Sequence, residues 1–249
     1  MALVDMHVHS KYSGHPSEWF LKKLGASESY TEPEFVYKSL KKRGMDYVTI
    51  TDHNKIGGAL EIMKKHPEDT FLGVEATAYF PEDRCKIHVL IYNFTEAQFK
   101  EIDRIRVNIY ELRDYIKEND LMYSVAHATY PVNNNLLTMD HLEKLILLFD
   151  VFEGVNGGRN YNNNHIWSEY LKNLTKEDTD RFYAKHQIEP MSDRPWKKGF
   201  TGGSDDHAGI FLGKSYTNTS GSSKEEFFND ILTIDIVISK NQNPFFILY

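Results

Sequence analysis

The chain has 249 residues, 41% of them hydrophobic and 26% charged, with a net charge of -7. That balance suits one barrel-sized globular domain with a real core, and it argues against a surface built to neutralise long duplex nucleic acid. Cys85 is the lone cysteine, which excludes an intrachain disulfide; with no signal-peptide pattern and no apolar run of membrane-spanning length, the expected location is cytoplasmic.

Leu3 to Val8 is apolar and β-branched and predicts a short buried strand. Side chains at i and i+2 share a strand face, so His7 and His9 project side by side at its end. His15 follows past a Ser13-Gly14 turn that can fold the chain back. Three imidazoles this close suggest a metal, because imidazole suits zinc, iron and nickel. Exposed histidines near the amino terminus are the competing reading. An insertion at about residues 16–31 carries Trp19, Phe20 and Leu21, as a rim over the site or a surface excursion. Thr31-Glu32-Pro33-Glu34 has the form of a capping box and opens a helix to Arg43. Tyr47 to Thr51 predicts a second strand, ending in Thr51-Asp52-His53-Asn54. A metal ligand at His53 with a carboxylate beside it would explain that polar cluster, and so would a turn. A helix from Gly58 ends at His66, read as structural.

Phe71 to Phe80 predicts the third strand, with Glu75 as a carboxylate inside an apolar run. Burying it alone is costly unless it is paired or bound to a metal. Lys86 to Phe94 predicts an antiparallel return that carries His88. Thr95 caps a long amphipathic helix to about Glu118. Met122 to Ala126 predicts a strand ending in His127, and Thr138 opens a helix to Leu148 with His141 solvated in its first turn. Val151 to Val155 predicts a strand opening into Asn156-Gly157-Gly158-Arg159-Asn160, where Arg159 is either a phosphate contact or a surface arginine on a glycine turn. A second insertion, about 157–199, carries two helices and the surface histidines His165 and His186. Phe200 to Asp205 predicts a strand, and Asp205 and His207 repeat the i, i+2 geometry. Ser215 to Thr219 predicts a last strand, and Ser223 opens a helix. The apolar end is ambiguous and leaves open a longer protein of which this is the amino-terminal part.

Of the 11 histidines, His7, His9, His53, His127 and His207 fall at strand ends, His15 is close behind His9, and His88 lies in a strand. In a parallel barrel all carboxyl ends meet on one face, so these residues converge.

The ordered set Asp5-x-His7-x-His9, Thr51-Asp52-His53, Gly73-Val74-Glu75, His88, Ala126-His127 and Gly203-Ser204-Asp205-Asp206-His207 strongly resembles the polymerase and histidinol phosphatase (PHP) family, from about Val4 to His207. Many family members carry Asp where Gly14 stands, while His15 resembles the alternative of the trinuclear phosphatase subgroup. The resemblance implies an α/β fold, a distorted (β/α)7 barrel forming a single domain, with a metal site at the carboxyl face of the strands. It implies three divalent transition metals per chain, zinc, manganese or iron. His7, His9, Glu75 and Asp205 would hold one, Glu75, His88 and His127 a second, and His15, His53 and His207 the third. It also implies phosphate-ester hydrolysis of a small phosphorylated substrate by a metal-activated hydroxide, with Asp52, Glu75 and Asp205 as catalytic residues. Asp52 would orient a ligand or donate a proton. The chain has no Walker-type loop and no Gly-x-Ser-x-Gly elbow. Lys11, Arg159 and Lys197 are the expected contacts to substrate phosphate. The alternatives are a catalytically silent module that binds a ligand or supports a partner domain, and hydrolysis of a carbon–nitrogen bond by a similar site. Oligomeric state stays open.

Overall fold

The β-rich run around Glu75 folds back on itself through the turn at residues 81–85, and this hairpin starts the main sheet. A computed structural model describes residues 1–13, 28–133, 136–233 and 237–238. Strands β2 (Gly73–Tyr79) and β3 (Lys86–Tyr92) pair antiparallel over their full length. β4 (Met122–Val125) joins β3 antiparallel, then β5 (Val151–Asn156) and β6 (Gly199–Gly203) add on in parallel. The sheet order is β2-β3-β4-β5-β6. Nearly every residue of these strands is buried, as befits a sheet covered on both faces. A second sheet of three strands pairs β1 (Ala2–Val4) with β7 (Thr217–Thr219), and β7 with β8 (Val237–Ile238), all antiparallel.

Helices follow the strands. They are α1 (Pro33–Lys42), α2 (Gly57–Lys65), α3 (Glu96–Ile105), α4 (Ile109–Glu118), α5 (Met139–Leu148), α6 (Tyr161–Lys172), α7 (Lys176–His186) and α8 (Lys224–Thr233). The expected single helix after Thr95 is two, because Asn108 turns out of the helix and its side chain caps Tyr110 N–H. Thr95 and Thr138 form capping boxes, the latter with His141 in place of Glu or Gln. The box expected at Thr31 does not form; Glu32 is the N-cap without a side-chain bond, and Thr31 Oγ1 donates to His207 O instead. Within the expected second insertion, about 157–199, α6 packs on β5 and α7 on α5. No helix among the described residues is long and apolar enough to cross a membrane.

The fold is mixed α/β, and among the described residues the regular strands do not close into the expected seven-stranded barrel. Two expected strands are the reason. Past β1, the rest of the expected Leu3–Val8 strand and the expected Tyr47–Thr51 strand form only isolated bridges, with one more at His53: Val8 to Asp206, Val48 to Thr70 and His53 to Glu75. Side-chain oxygens take the places of ladder carbonyls: Asp5 Oδ1 accepts from His7 N–H and Ser204 N–H, and Thr51 Oγ1 accepts from Val8 N–H. The two segments still fill the gap between β6 and β2. Asp205 N–H donates to His7 O at 2.7 Å, Thr51 N–H to Val8 O at 2.8 Å, and Glu75 N–H to Asp52 O at 3.3 Å. Gly203 permits this closeness, since a Cβ there would stand 2.3 Å from His7 Cβ.

Candidate metal centre

Glu75 lies fully buried on β2, where an unpaired carboxylate would be costly. Five imidazoles surround it. Its Oε2 is 3.3 Å from His7 Nε2, 3.2 Å from His9 Nε2 and 2.9 Å from His53 Nδ1. Its Oε1 is 2.6 Å from His88 Nδ1 and 3.2 Å from His127 Nε2. Asp205 approaches from past β6, with Oδ1 at 3.4 Å from His7 Nε2 and 3.3 Å from His9 Nε2. The two Nε2 atoms are 3.1 Å apart. His207 stacks on His9 with ring centroids 4.0 Å apart. The backbone turns sharply here: His127 and Asp205 have positive φ, 28° and 51°, a region side chains rarely adopt.

These distances test whether a cation fits. Four donors arranged tetrahedrally at roughly 2.0–2.2 Å from one point stand about 3.4 Å apart. The five measured separations among His7, His9, Glu75 and Asp205 run from 3.1 to 3.4 Å. Glu75 Oε2, His53 Nδ1, His88 Nδ1 and His207 Nε2 are buried without a hydrogen bond, although some lie close to one another. Short contacts without hydrogen-bond geometry, between groups with lone pairs, are what a donor set for a cation presents.

Charge balance points the same way. Burial pushes the Glu75 carboxyl up, but His53, His88 and His7 together hold it well below its usual range. Asp205 is held well below by His7, His9 and Arg159 against the same burial. Burial works against a proton on His7, yet Asp205, Glu153 and Glu75 lift its pKa well above normal. His53 is likewise pushed down by burial but carried up to about 10, first by Glu75. His88 and His207 fall to about 4, through burial and neighbouring imidazoles. The cluster therefore holds on to positive charge, as protons or as cations.

Eight of the nine expected ligand positions come together; His15 lies outside the described residues, as do Trp19, Phe20 and Leu21. The grouping differs in part from the expected division. Donor atoms converge as His7-His9-Glu75, His7-His127-Asp205, His53-Glu75-His88 and His9-His53-His207, so His53 faces both Glu75 and the His9–His207 pair. Asp52 is buried behind the centre. It accepts from Ser10 N–H, Ser10 Oγ and Ser13 Oγ, and Ser13 Oγ lies 2.9 Å from His9 Nδ1. Its reach is to His9 through Ser13.

Of the expected phosphate contacts, Arg159 stands at the centre, 3.3 Å from Asp205 Oδ2 and 4.0 Å over the Tyr130 ring. It lines a cavity of about 470 Å³ beside His127, with Tyr130, Asn163 and Trp167 on its walls. Lys11 is tied to Glu32 at 2.6 Å. Lys197 precedes the amino end of β6, and the ligands sit past its carboxyl end. His141 is not solvated: it is 4% exposed, with Nε2 3.0 Å from Asp83. His186 is half-buried against Glu143 at 2.7 Å, while His165 is exposed and His66 stacks on Tyr37, as expected.

The sequence reading passed over Glu153, 2.9 Å from His7 Nδ1, although it is a lone acid in the apolar run Val151 to Val155, the signal that singled out Glu75. It also passed over Glu28, 3.2 Å from His53 Nε2 and 3.6 Å from His207 Nε2, whose polar surroundings carry no such signal.

No family model matches the chain. A stretch of 71 residues, 28% of the chain, is 44% identical to an uncharacterized protein of Methanocaldococcus jannaschii and spans only 38% of that protein. Among solved structures, PsfC from Pseudomonas syringae superimposes with a TM-score of 0.54 at 14% identity, over 98% of this chain and 93% of that one. An amidohydrolase from Chromobacterium violaceum, solved with sulfate and no metal, gives 0.51 at 14% identity over 82% and 87%. A proposed metal-dependent phosphoesterase from Bifidobacterium adolescentis gives 0.46 at 18% identity over 92% and 95%. At these identities the likeness is one of fold.

Proposed function

We propose that the chain is a metal-dependent hydrolase of phosphate esters with a PHP-type centre, and that the segments at 5–9 and 47–53 stand in for two strands of its distorted barrel. The carrying observation is Glu75, whose two buried carboxylate oxygens face five imidazoles at 2.6 to 3.3 Å. A carboxylate so placed serves two donor sets at once. His7, His9 and Asp205 form one set with it, and His88 and His127 the other; His53 and His207 belong to a third position that His15 would complete. The ions, zinc, manganese or iron, would supply Lewis acidity and a nucleophilic hydroxide at neutral pH.

The chain's own residues do the rest. Asp205, Glu75 and the imidazoles form the donor array, most of it buried. Arg159, anchored by Asp205 and Tyr130, presents a guanidinium suited to a phosphoryl oxygen. Asp52 keeps His9 oriented through Ser13. The acidic net charge favours a small phosphorylated substrate over long duplex DNA. A second reading, hydrolysis of a carbon–nitrogen bond, draws on the neighbour named as an amidohydrolase; the arginine beside the centre weighs toward the anionic ester. A silent module would have no need of donor residues at all eight described positions.

The test is turnover of the metal-reconstituted protein on sugar phosphates, nucleotides and short oligonucleotides beside a panel of amides. Phosphate release with manganese or zinc, abolished by chelation, is the expected result. Amide cleavage alone would favour the second reading, and no turnover on either panel would favour the silent module.

A further inference from the structure

Glu153 is 2% exposed, in the middle of β5, and every contact it makes leads to the centre. Its Oε1 lies 2.9 Å from His7 Nδ1. Its Oε2 accepts from the backbone N–H of His127 at 2.9 Å and from Asn156 Nδ2 at 2.8 Å. Asn156 Nδ2 also donates to Asp205 Oδ2 at 3.1 Å. One buried carboxylate thus reaches three candidate ligands on three different strand ends.

We propose that Glu153 is the positioning residue of this centre, fixing which nitrogen of His7 faces the ligand cluster and holding the turn that carries His127. The proposal rests on the metal-centre reading above. Oε2 already accepts from two N–H groups, and the contact of Oε1 with the ring completes the set as a third acceptor bond, which places the N–H of His7 on Nδ1. That leaves Nε2 free as a donor where His9, Glu75 and Asp205 meet, which is the usual work of a carboxylate behind a metal-binding histidine. The second oxygen acts on the backbone. His127 sits at φ 28°, and a bond to its N–H holds that conformation and so aims the ring at Glu75 Oε1. The rival account is that Glu153 is a buried acid whose needs are met, contributing to stability alone.

Glu153→Gln separates the two. A glutamine keeps the volume but offers one acceptor oxygen to three donors, so at least one N–H meets another N–H. Zinc affinity of the intact chain, measured by competition with a chromophoric chelator, should fall about 10- to 100-fold. The zinc-loaded wild type should show a protected His7 Nδ1–H proton by nitrogen-edited NMR, and the variant should lose it. The control is Tyr123→Phe, which removes the buried hydroxyl that accepts from Asp150 N–H at 2.9 Å, at the amino end of the sheet, opposite the candidate ligands. It should lower Tm and leave zinc affinity within about two-fold. If Glu153→Gln behaves like this control, with the Nδ1–H signal kept, the proposal is overturned while the metal centre stands. If the wild type binds no zinc, both fall. Should the variant fail to fold, the wild type still decides: a proton on His7 Nε2 in the zinc-loaded protein would overturn the assignment.

Discussion

On α5 and α7, Asp140, Glu143 and His186 bring donor atoms together much as His7, His9 and Glu75 do at the strand ends. The surroundings differ. Lys185 lies 2.7 Å from both Asp140 and Glu143, and through its hydrogen bonds the Asp140 carboxyl is held below its usual range. Asp140 and Lys185 are exposed, so water screens what charge is left. At the strand ends no lysine intervenes among the described residues. The carboxylates are buried, and among the described residues imidazoles, Arg159 and the Asn156 amide answer them. Metal-type residues in proximity are therefore not enough: the helical cluster is already neutralised by its own cation, while the strand-end cluster leaves buried donors without partners.

The sharpest way to break this contrast is to make the same change in both clusters. Glu75→Gln is expected to cost turnover on the order of a thousand-fold or more, because on the proposed reading this carboxylate would help hold the cations that supply the nucleophile. Glu143→Gln should alter kcat/KM by no more than about two-fold. A large loss in the helical variant, or a small one in the buried variant, would reverse the comparison. Next in size is Arg159→Ala. Loss of one charge-assisted contact to substrate should reduce kcat/KM by roughly ten- to a hundred-fold on a phosphate ester and leave metal content unchanged.

The pH dependence of stability sharpens the contrast without any substrate. Unfolded histidine titrates at about 6.5. His7, His9 and His53 have raised pKa values in the fold, so their contribution is present below that pH and is lost as pH rises, for His53 toward about 10. His88 and His207 act with opposite sign, stabilising above 6.5 and losing that contribution as pH falls toward about 4. Glu75 and Asp205 stay ionised through this window and cost stability only at more acid pH. The metal-free protein should therefore be most stable near neutrality, with Tm falling on the order of 5 °C by pH 9. Bound cations take the place of those protons, so the loaded protein should keep its Tm there. Melting curves against pH, with and without chelator, check this.

The smallest effects belong to histidines outside the strand-end set. His141 closes the capping box of α5 and bonds Asp83, so His141→Ala should cost about 1–2 kcal/mol of stability with full metal retention. His186→Ala should be nearer 0.5 kcal/mol, roughly a surface value, again with the metal kept. Metal loss in either would show that the helical histidines had been misjudged.

Most of the cluster was legible because its histidines and acids sit where apolar runs end, and that juxtaposition is written locally. Glu75 was visible as an acid with no right to be buried alone. Glu153 carries the same signature and was passed over, so its omission reflects uneven reading and not a silent sequence. Other misses were not legible in principle. Residues 5–9 and 47–51 have strand composition, but the oxygens of Asp5 and Thr51 displace ladder partners only once distant segments meet. The pairing of Lys11 with Glu32 spans the loop between them and leaves no local mark. His141 looked solvated in a first helical turn, yet the β2–β3 hairpin brings Phe80 and Asp83 over it.

The central claim is that Glu75 is shared by two cations. Its most direct measurement is the number of metal ions per chain, counted by elemental analysis after reconstitution, in the wild type and in Glu75→Gln. The account predicts more than one ion in the wild type and the loss of two together in the variant, with the fold intact by circular dichroism. At most one ion in the wild type, or a full complement in Glu75→Gln, would contradict it.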